Sequence, residues 1–337
     1  MISTAISKLL NREDLSSDEM SEIMHDIAKG QMTDAQITAF MIALRFKGET
    51  ANEIEQSARA LRNQRFYEEL GDERYVDISG TGGDRLSTFN ISTAAAFIAA
   101  GAGVKIAKHG TQRVSSKCGS ADVINALGIP LDVEFNRMLE CLKATGLGFF
   151  WSEKFNDSLS ITQGLRQEIA ARTIFNLITP LSNPLLIRHQ VIGAYSEKMA
   201  GILAEVALHL GGIHVLTVNG KDGLDEISLM DESVIFEIKD GKIKRYVIHP
   251  KDFGLSMASL TDVRGGSIEK NRQMIVSVLS GRKDAATDIA VINAAAAIYA
   301  GDYSESLASG VEMAKDSVFN GKAKKKLLEV REYLTSL

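Results

Sequence analysis

From residue 75 onward, short apolar segments of strand-like composition alternate with segments whose apolar residues recur at helical spacing. The strand-like segments span residues 75–79, 104–107, 147–151, 190–195 and 214–218. Helices are predicted between them over residues 91–102, 121–127 and 197–210. Strands separated by helices of this length pair side by side in the same direction. This alternation predicts a parallel α/β sheet at the centre of the fold.

The segments that flank this alternation have other patterns. Helices are predicted over residues 15–29, 35–47 and 49–62, where capping side chains precede apolar residues at helical spacing. Strands at 234–238 and 243–248, joined by Asp240-Gly241, indicate a hairpin added to the sheet. The chain then returns to helix over 268–337, with a buried alanine-rich segment at 290–300. We therefore expect an N-terminal helical domain over residues 1–72 and a larger α/β domain over residues 73–337.

The composition is that of a globular protein, with 45% apolar and 24% charged residues among 337. The longest run of small apolar residues, 94–104, is shorter than the ~20 residues that cross a bilayer. Two cysteines, Cys118 and Cys141, are too few for a disulfide framework and suit a reducing compartment. We therefore expect a cytoplasmic protein that does not enter a membrane.

The charge is unevenly distributed along the chain. The formal net charge is −5, which disfavours broad binding of nucleic acid. Between Arg85 and Ala121, however, there are five cations and no acid. The overall acidity therefore does not count against a small polyphosphate held by this one segment.

A glycine-rich turn, Ser-Gly-Thr-Gly-Gly-Asp at residues 79–84, lies between a predicted strand and a predicted helix. Glycines let backbone N–H groups approach an anion, and the helix that begins near Asn90 adds donors at its positive end. The turn is neither a Walker A loop nor the dinucleotide fingerprint, because the required later residues are absent. It indicates a phosphate cradle, although a tight turn with a capped helix explains the same residues.

The next loop, residues 105–120, is dense in cations, hydroxyls and glycine. Lys108, Ser115 and Ser116 could surround phosphate oxygens, whereas a solvated basic loop is the simpler alternative. Ligands of open α/β sheets bind at the carboxyl ends of the strands. We therefore expect this loop and the glycine-rich turn to face one crevice.

Charged residues at two later positions complete the candidate site. Asp225 and Glu226 follow the strand at 214–218, and their carboxylates suit Mg²⁺, although an acidic turn is the alternative. Arg166 and Arg172 could each hold a carboxylate through two hydrogen bonds. For Arg166, a surface salt bridge with Glu168 is an equally good interpretation.

Taken together, these residues resemble the anthranilate phosphoribosyltransferase family over nearly the whole chain. The motifs include Gly-Thr-Gly-Gly-Asp at 80–84, Asn-Ile-Ser-Thr at 90–93, Val-Ser-Ser-Lys-Cys-Gly-Ser-Ala-Asp at 114–122 and Gly-Leu-Asp-Glu-Ile-Ser at 223–228. The resemblance implies transfer of the 5-phosphoribosyl group from phosphoribosyl pyrophosphate (PRPP) to the amine of anthranilate, in tryptophan biosynthesis. It also implies Mg²⁺, an α/β domain of the nucleoside phosphorylase type and a homodimer formed through the helical domain.

The resemblance also implies roles for residues at matching positions. Those expected to bind PRPP are Gly80, Gly83, Asp84, Thr88, Asn90, Ile91, Ser92, Thr93, Lys108, Ser115, Ser116 and Ser120. Ser92, Asp225 and Glu226 match the metal positions, and Gly80, Thr111 and Arg166 match the acceptor positions. No residue is assigned as a catalytic acid or base, because positioning of the substrates and metal assistance to the leaving group account for the chemistry.

The chain departs from the family pattern around the acceptor. Thr111 and Gln112 replace the usual Asn-Arg, Asn-Asp-Ser at 156–158 replaces His-Pro-Ala, and Ala170 replaces a glycine. Asp157 would add negative charge where a carboxylate enters. Two alternatives follow, namely a paralogue with another aromatic or amine acceptor and a non-catalytic relative that binds nucleic acid. The intact Asp225-Glu226 pair argues against the second, since a phosphate binder does not need a metal site.

Overall fold

The computed structural model describes residues 1–62, 70, 74–83, 86–110 and 118–336. Four helices open the chain: α1 (Ile2–Leu10), α2 (Ser17–Ala28), α3 (Asp34–Lys47) and α4 (Ala51–Arg62). Ser16 and Thr33 begin α2 and α3 with capping boxes, in which each side chain accepts a backbone N–H of the first turn. The three predicted N-terminal helices are therefore confirmed, and α1 precedes them.

Seven strands form one sheet. They are β1 (Tyr75–Gly80), β2 (Lys105–Gly110), β3 (Leu147–Trp151), β4 (His189–Gly193), β5 (His214–Gly220), β6 (Ser233–Lys239) and β7 (Lys242–Ile248). Their order is β3-β2-β1-β4-β5-β6-β7, with the first five parallel and the last two antiparallel. Asp240 and Gly241, at φ 52° and 69°, make the turn of the predicted hairpin.

The remaining helices connect and cover the strands. They are α5 (Ile91–Gly101), α6 (Ser120–Ala126), α7 (Phe135–Thr145), α8 (Ser152–Phe155), α9 (Asp157–Ile161), α10 (Gln163–Ile169), α11 (Ile174–Ile178), α12 (Glu197–His209), α13 (Leu260–Val263), α14 (Ile268–Leu279), α15 (Ala285–Ala300), α16 (Leu307–Phe319) and α17 (Lys322–Thr335). Two short 3-10 helices lie at Thr179–Leu181 and Pro250–Phe253. Within the described residues, no helix is long and apolar enough to span a bilayer.

Two apolar cores hold these elements. The first lies between the sheet and the C-terminal helices, and the alanine-rich α15 is buried in it as expected. The helix α5 is buried there as well. The second joins α1–α4 to α9, α11 and α12, so residues from the middle of the chain pack with the N-terminal helices. The domain boundary at 72/73 stays a prediction, because residues 71–73 lie outside the described part.

The strand order places a crevice at one position. From β1 the chain builds outward through β2 to β3, and it then crosses to the other side of β1 to build β4 and β5. Gly80 and Gly193, at the carboxyl ends of β1 and β4, pair with each other. Ligands of open α/β sheets bind where the strand order reverses in this way, beyond the carboxyl ends of the strands.

Candidate active site

The acidic loop after β5 packs directly against the ends of β1 and β4. The Gly82 N–H donates to Asp225 Oδ2 at 2.7 Å. A Cβ at Gly80 would lie 2.8 Å from the same oxygen, and a Cβ at Gly193 would overlap the backbone oxygen of Asp225. Glycine at these two strand ends is therefore what lets the acidic loop reach the crevice.

The second acid, Glu226, lies at the start of α5. Its Oε1 accepts the Ser92 N–H at 3.2 Å. This N–H belongs to the first turn of the helix, where unpaired donors and the helix dipole favour a negative charge. Two motifs that lie far apart in the sequence thus meet at the carboxyl edge of the sheet, where both were expected.

Lys108, near the end of β2, connects these motifs to the basic segment. The residue is buried, and its Nζ donates to Ile78 O and to Ser92 Oγ, the latter at 3.2 Å. Burial lowers the pKa of Lys108, while the nearby Asp77 and Glu226 act in the opposite direction. Its ammonium group therefore lies against the first turn of α5, in reach of an anion bound there.

A buried polar cluster supports Lys108 from behind, and the sequence analysis missed it. Asp77 on β1 accepts the His109 N–H at 2.9 Å and the Asn183 side-chain amide at 3.1 Å. Burial raises the pKa of Asp77 to about 6, with Lys108 opposing the shift. Burial lowers the pKa of His109 to about 4, and its Nδ1 lies 3.0 Å from Thr179 O. An aspartate inside an apolar strand was the available signal.

Asn90 has a different role from a helix cap. Although it precedes α5, its side chain makes no capping hydrogen bond within the described residues. Its Oδ1 instead accepts the buried Asn271 amide at 2.9 Å, and its Nδ2 donates to Cys118 O at 3.4 Å. This geometry argues against the capped-turn alternative. Asn271, on α14, is another residue that sequence analysis missed.

Some of the other predicted PRPP positions lie at or near the crevice, and the rest lie outside the described residues. Thr88 pairs with Arg264 beside a groove of about 310 Å³. Ser120 lies at the end of β2, where its Oγ would be 2.9 Å from a Cβ at Gly110. Ile91 and Thr93 are buried in the first turn of α5. The predicted residues that lie outside the described part are Asp84, Thr111, Gln112, Ser115 and Ser116.

Arg172 covers the glycine-rich turn from the opposite side. Its Nη1 donates to Gly83 O at 3.3 Å, and its guanidinium carbon lies 3.6 Å from the centre of the Tyr195 ring. A Cβ at Gly83 would lie 2.7 Å from Arg172 Cδ. Gly83 is also at φ 77°, so its position needs glycine both for backbone conformation and for the close approach of this side chain.

Arg166 is not on the surface, so the interpretation as a surface salt bridge with Glu168 is wrong. The residue is 1% exposed, and the carboxylate beside its Nη2 is Glu153 Oε1 at 3.6 Å. Nη2 also donates to Leu159 O at 2.9 Å. Burial lowers the pKa of Arg166, and Glu153 opposes the shift. The apolar surroundings provided by α9 and α11 could not be read from the local pattern around residue 166.

The segment at 156–158, where the chain departs from the family pattern, has a structural role. Asn156 Oδ1 accepts the Leu159 N–H at 3.1 Å and so caps α9. Its Nδ2 donates to Leu61 O at 3.1 Å, which ties α9 to the end of α4. This asparagine therefore helps to hold α9, the helix that directly precedes the one that carries Arg166.

Neither cysteine is suited to nucleophilic chemistry. Cys118 and Cys141 are both buried, and burial raises the pKa of Cys141 to about 11.

A histidine cluster lies at the opposite edge of the sheet, where ligand atoms of His189, His214 and Asp302 come within 4.8 Å of one another. These atoms already form hydrogen bonds inside the protein, including His214 Nδ1 with Asp302 Oδ1 at 2.7 Å. The cluster is therefore separate from the crevice.

The two-part fold and its crevice define a glycosyl transferase. Residues 72–324 match the a/b domain of the glycosyl transferase family, and residues 3–64 match the helical bundle domain of that family. The anthranilate phosphoribosyltransferase of Alkaliphilus metalliredigens is 40% identical over 327 residues, which cover 97% of this chain and 96% of that relative. The chain belongs to the anthranilate phosphoribosyltransferase family.

Solved structures agree with this membership. The anthranilate phosphoribosyltransferase of Thermus thermophilus superimposes with a TM-score of 0.90 at 33% identity, over 98% of this chain and 99% of that one. The enzyme of Saccharomyces cerevisiae, in complex with PRPP and Mg, has a TM-score of 0.90 at 25% identity, over 100% of this chain and 98% of that one. The family and the fold class predicted from the sequence are confirmed.

Proposed function

We propose that this enzyme transfers the 5-phosphoribosyl group of PRPP to the amine of anthranilate and releases pyrophosphate, a step of tryptophan biosynthesis. The observation that carries the proposal is the convergence of Gly82, Ser92 and Lys108 with Asp225 and Glu226 at the carboxyl edge of the sheet. A reaction in which pyrophosphate is the leaving group needs hydrogen-bond donors for the phosphate oxygens and acidic ligands for a metal ion in the same crevice. The names of full-length relatives agree with this activity.

PRPP is proposed to lie over the turn at 80–83 and the first turn of α5. Backbone N–H groups there, the Ser92 hydroxyl and the Lys108 ammonium group are the donors for its phosphate oxygens. Asn90 and Ser120 border the same region, and the described face of the crevice presents hydrogen-bond donors without a dedicated general acid. Pyrophosphate can leave as an anion because these donors stabilise its charge.

The residues present fit Mg²⁺. Asp225 and Glu226 supply carboxylate oxygens and Ser92 supplies a hydroxyl oxygen, the ligand type that this hard cation prefers. Each carboxylate accepts one backbone N–H, from Gly82 and Ser92 respectively, and this fixes its direction. Bound there, the ion would neutralise charge on the phosphate oxygens. Asp225, Glu226 and Ser92 are therefore the proposed metal residues.

The acceptor is proposed to bind near Arg166, Gly80 and Thr111, beside the helices α8 to α11. An aromatic amine is already neutral at pH 7, so its lone pair can attack C1 of the ribose without prior removal of a proton. The barrier is lowered chiefly by holding amine and C1 in line. His109 stays neutral in its buried position and takes no part as a base, since its pKa is lowered to about 4.

The direct test follows the loss of anthranilate fluorescence in the presence of PRPP and Mg²⁺, with pyrophosphate release measured in parallel. We expect turnover that requires all three components. Titration calorimetry with PRPP and Mg²⁺ separates the two substrates. Binding of PRPP without turnover of anthranilate would contradict the proposed acceptor, and absence of PRPP binding would contradict the proposed function as a whole.

A second candidate is transfer to another aromatic amine. It is favoured by the carboxylate of Glu153, which already lies beside Arg166 where a substrate carboxylate is proposed to bind. A panel of aromatic amines, scored by pyrophosphate release, tests it. The candidate is rejected if anthranilate has the highest kcat/KM in the panel.

We also propose a homodimer formed through the N-terminal helices and a cytoplasmic location. Ile42 and Phe46 on α3 are 42% and 61% exposed, and with Ala35 and Ala39 they share one face of that helix. A groove of about 570 Å³ between this face and α10 includes Leu165. Light scattering of Ile42→Glu should show a smaller species than the unaltered protein.

The proposed cytoplasmic location is supported by the two cysteines, which remain free thiols as is usual in a reducing compartment.

A further inference from the structure

Glu153 and Arg166 form a buried ion pair at the acceptor side of the crevice. Their side chains are 7% and 2% exposed, and Oε1 of the glutamate lies 3.6 Å from Nη2 of the arginine. The other carboxylate oxygen, Oε2, accepts the Ser152 hydroxyl at 3.0 Å. One carboxylate oxygen is therefore held by the Ser152 hydroxyl, while the other is buried and faces the guanidinium at ion-pair distance.

The pair lies at the same sheet edge as the phosphate donors. Glu153 follows the last residue of β3 by two positions, and that residue, Trp151, pairs with Gly110 at the end of β2. Glu153 is therefore placed by a strand that ends at the crevice, and Arg166 reaches it from α10.

A second connection runs through α11. The guanidinium of Arg166 lies 5.7 Å from the centre of the Phe175 ring, and the next residue, Asn176, donates to Thr81 O at 3.3 Å. The glycine-rich turn and Arg166 thus contact neighbouring residues of one short helix.

Arg166 keeps hydrogen-bonding capacity that this pair does not use. Its Nη2 donates to Leu159 O, while its buried Nε has no hydrogen-bond partner in the described residues. A buried guanidinium N–H without a partner is uncommon, because leaving it unpaired costs the free energy of removing it from water. The donor is therefore available to an acceptor group of a ligand.

We propose that Glu153 is a specificity-determining residue, an internal carboxylate that competes with the carboxylate of the acceptor substrate for Arg166. The inference rests on the proposed function, because it assigns Arg166 to the acceptor. With Glu153 in place the buried pair is neutral, so an arriving carboxylate meets one cation and one anion instead of a cation alone. Like charges that share a buried site repel each other strongly. Glu153 thereby weakens selection for carboxylated amines and favours uncharged ones.

The test compares anthranilate with its uncharged analogue 2-aminobenzamide, both with PRPP and Mg²⁺ and both scored by pyrophosphate release. In Glu153→Gln the competing charge is removed while the size of the side chain is kept. We expect the KM for anthranilate to fall about tenfold, the change that one pKa unit of differential interaction represents. We expect kcat with anthranilate, and both constants with 2-aminobenzamide, to change less than twofold.

Glu168→Gln is the matched control, because it removes a carboxylate from the exposed face of the helix that carries Arg166. It should leave both KM values unchanged. If the ratio of the KM for anthranilate to the KM for 2-aminobenzamide is the same in Glu153→Gln as in the unaltered enzyme, the proposed role of Glu153 is overturned. If the unaltered enzyme releases no pyrophosphate with any aromatic amine, the proposed function fails first and the inference falls with it.

Removal of one partner of a buried pair can also destabilise the fold. Thermal unfolding of Glu153→Gln, with and without anthranilate, controls for this effect. We expect anthranilate to raise the midpoint more in the variant than in the unaltered protein. For a variant that does not fold, Glu153→Asp takes its place, since it retracts the carboxylate from Arg166 and should shift the KM ratio in the same direction by a smaller factor. An unshifted ratio in Glu153→Asp likewise overturns the proposal.

Discussion

Gly193, at the end of β4, lies so close to Asp225 that a Cβ at position 193 would overlap the backbone oxygen of Asp225. The acidic loop can therefore occupy the crevice only while this strand end has no side chain. The same loop supplies Glu226 to the first turn of α5. Metal and phosphate positions thus depend on one contact between backbones.

We expect Gly193→Ala to displace the acidic loop and to abolish turnover. The added methyl group must push backbone aside, which costs about 1–3 kcal/mol of folding stability. Chemical denaturation measures that cost, and calorimetry measures the loss of PRPP binding in Mg²⁺. Gly164→Ala is the control, because a Cβ at that position meets nothing within 4 Å. Full activity in Gly193→Ala would contradict the close packing of the loop.

Neutralising Asp225 should separate folding from catalysis. Asp225→Asn retains the shape of the side chain and can still accept the Gly82 N–H, so we expect an intact fold by circular dichroism. Loss of a proposed metal ligand should lower kcat/KM by about 100-fold, on the order of the effect of removing one stabilising group from a transition state. The concentration of Mg²⁺ at half-maximal activity should rise as well.

Glu226→Gln is expected to behave like Asp225→Asn. Glu232→Gln controls for both, because Glu232 is 41% exposed and pairs with Lys221 outside the crevice. Activity that is independent of both neutralised residues would reject the assignment of the metal site.

Ionisation of His109 should make stability depend on pH. Its folded pKa is about 4 against an ordinary value of 6.5, so the unfolded chain binds more protons between these values. Its contribution to stability is therefore fully present above pH 6.5 and is lost as the pH falls toward 4. Over the whole window the loss is about 3 kcal/mol, at 1.36 kcal/mol per pKa unit.

His109→Asn tests this expectation, because the amide nitrogen can replace Nδ1 as the donor to Thr179 O. Urea unfolding at several pH values should show a smaller loss of stability in the variant than in the unaltered protein. Asp77 titrates in the same range with the opposite sign, but its hydrogen bond with residue 109 is to the backbone N–H, which the substitution keeps. Its contribution is therefore the same in both proteins. Parallel pH curves for the two proteins would contradict the buried neutral histidine.

Ala170 ends α10 in the left-handed region, with φ of 51°. A side chain costs roughly 1–2 kcal/mol in that conformation, and glycine avoids it. We therefore expect Ala170→Gly to raise the free energy of unfolding by about 0.5–1 kcal/mol after the larger chain entropy of glycine is subtracted. Urea unfolding measures the change. Ala171→Gly, one residue further, should give no gain, and an equal gain there would contradict the conformational reason.

The sequence predicted correctly those helices, strands and turns whose conformation depends on residues close to one another in the chain. Capping side chains marked α2 and α3, Asp240-Gly241 marked the hairpin, and apolar strands with glycine ends marked the sheet. The glycine-rich turn was expected to share a crevice with the loop at 105–120, of which residues 111–117 lie outside the described part. The structure brings the glycine-rich turn together with the acidic loop, because parallel strands end at the same edge. The strand β3 was predicted at its observed bounds, but the helices α7 to α11 around it were not. The helices α8 to α11 have four to seven residues each, and therefore too few turns to show a helical period.

Long-range packing determined the rest. Arg166 has the sequence surroundings of an exposed helix, with Gln167 and Glu168 beside it, and its burial follows from the way α9 and α11 pack against α1–α4. The pairing of Asn90 with Asn271 joins residues 181 positions apart, so no local spacing could indicate it. Asp77 differs from both, because an acid within the apolar strand β1 was a visible signal of a buried polar cluster.

The second core has a consequence for how such enzymes can diversify. The described residues proposed to hold the phosphates lie mainly on the sheet and α5, whereas Arg166, proposed to hold the acceptor carboxylate, lies on a short helix of the group that packs with α1–α4. Substitutions in the short helices can therefore accumulate without disturbing the donor half. An enzyme built in this way can change its acceptor substrate while it keeps PRPP as the donor. In this chain, Glu153 is the residue proposed to make such a change.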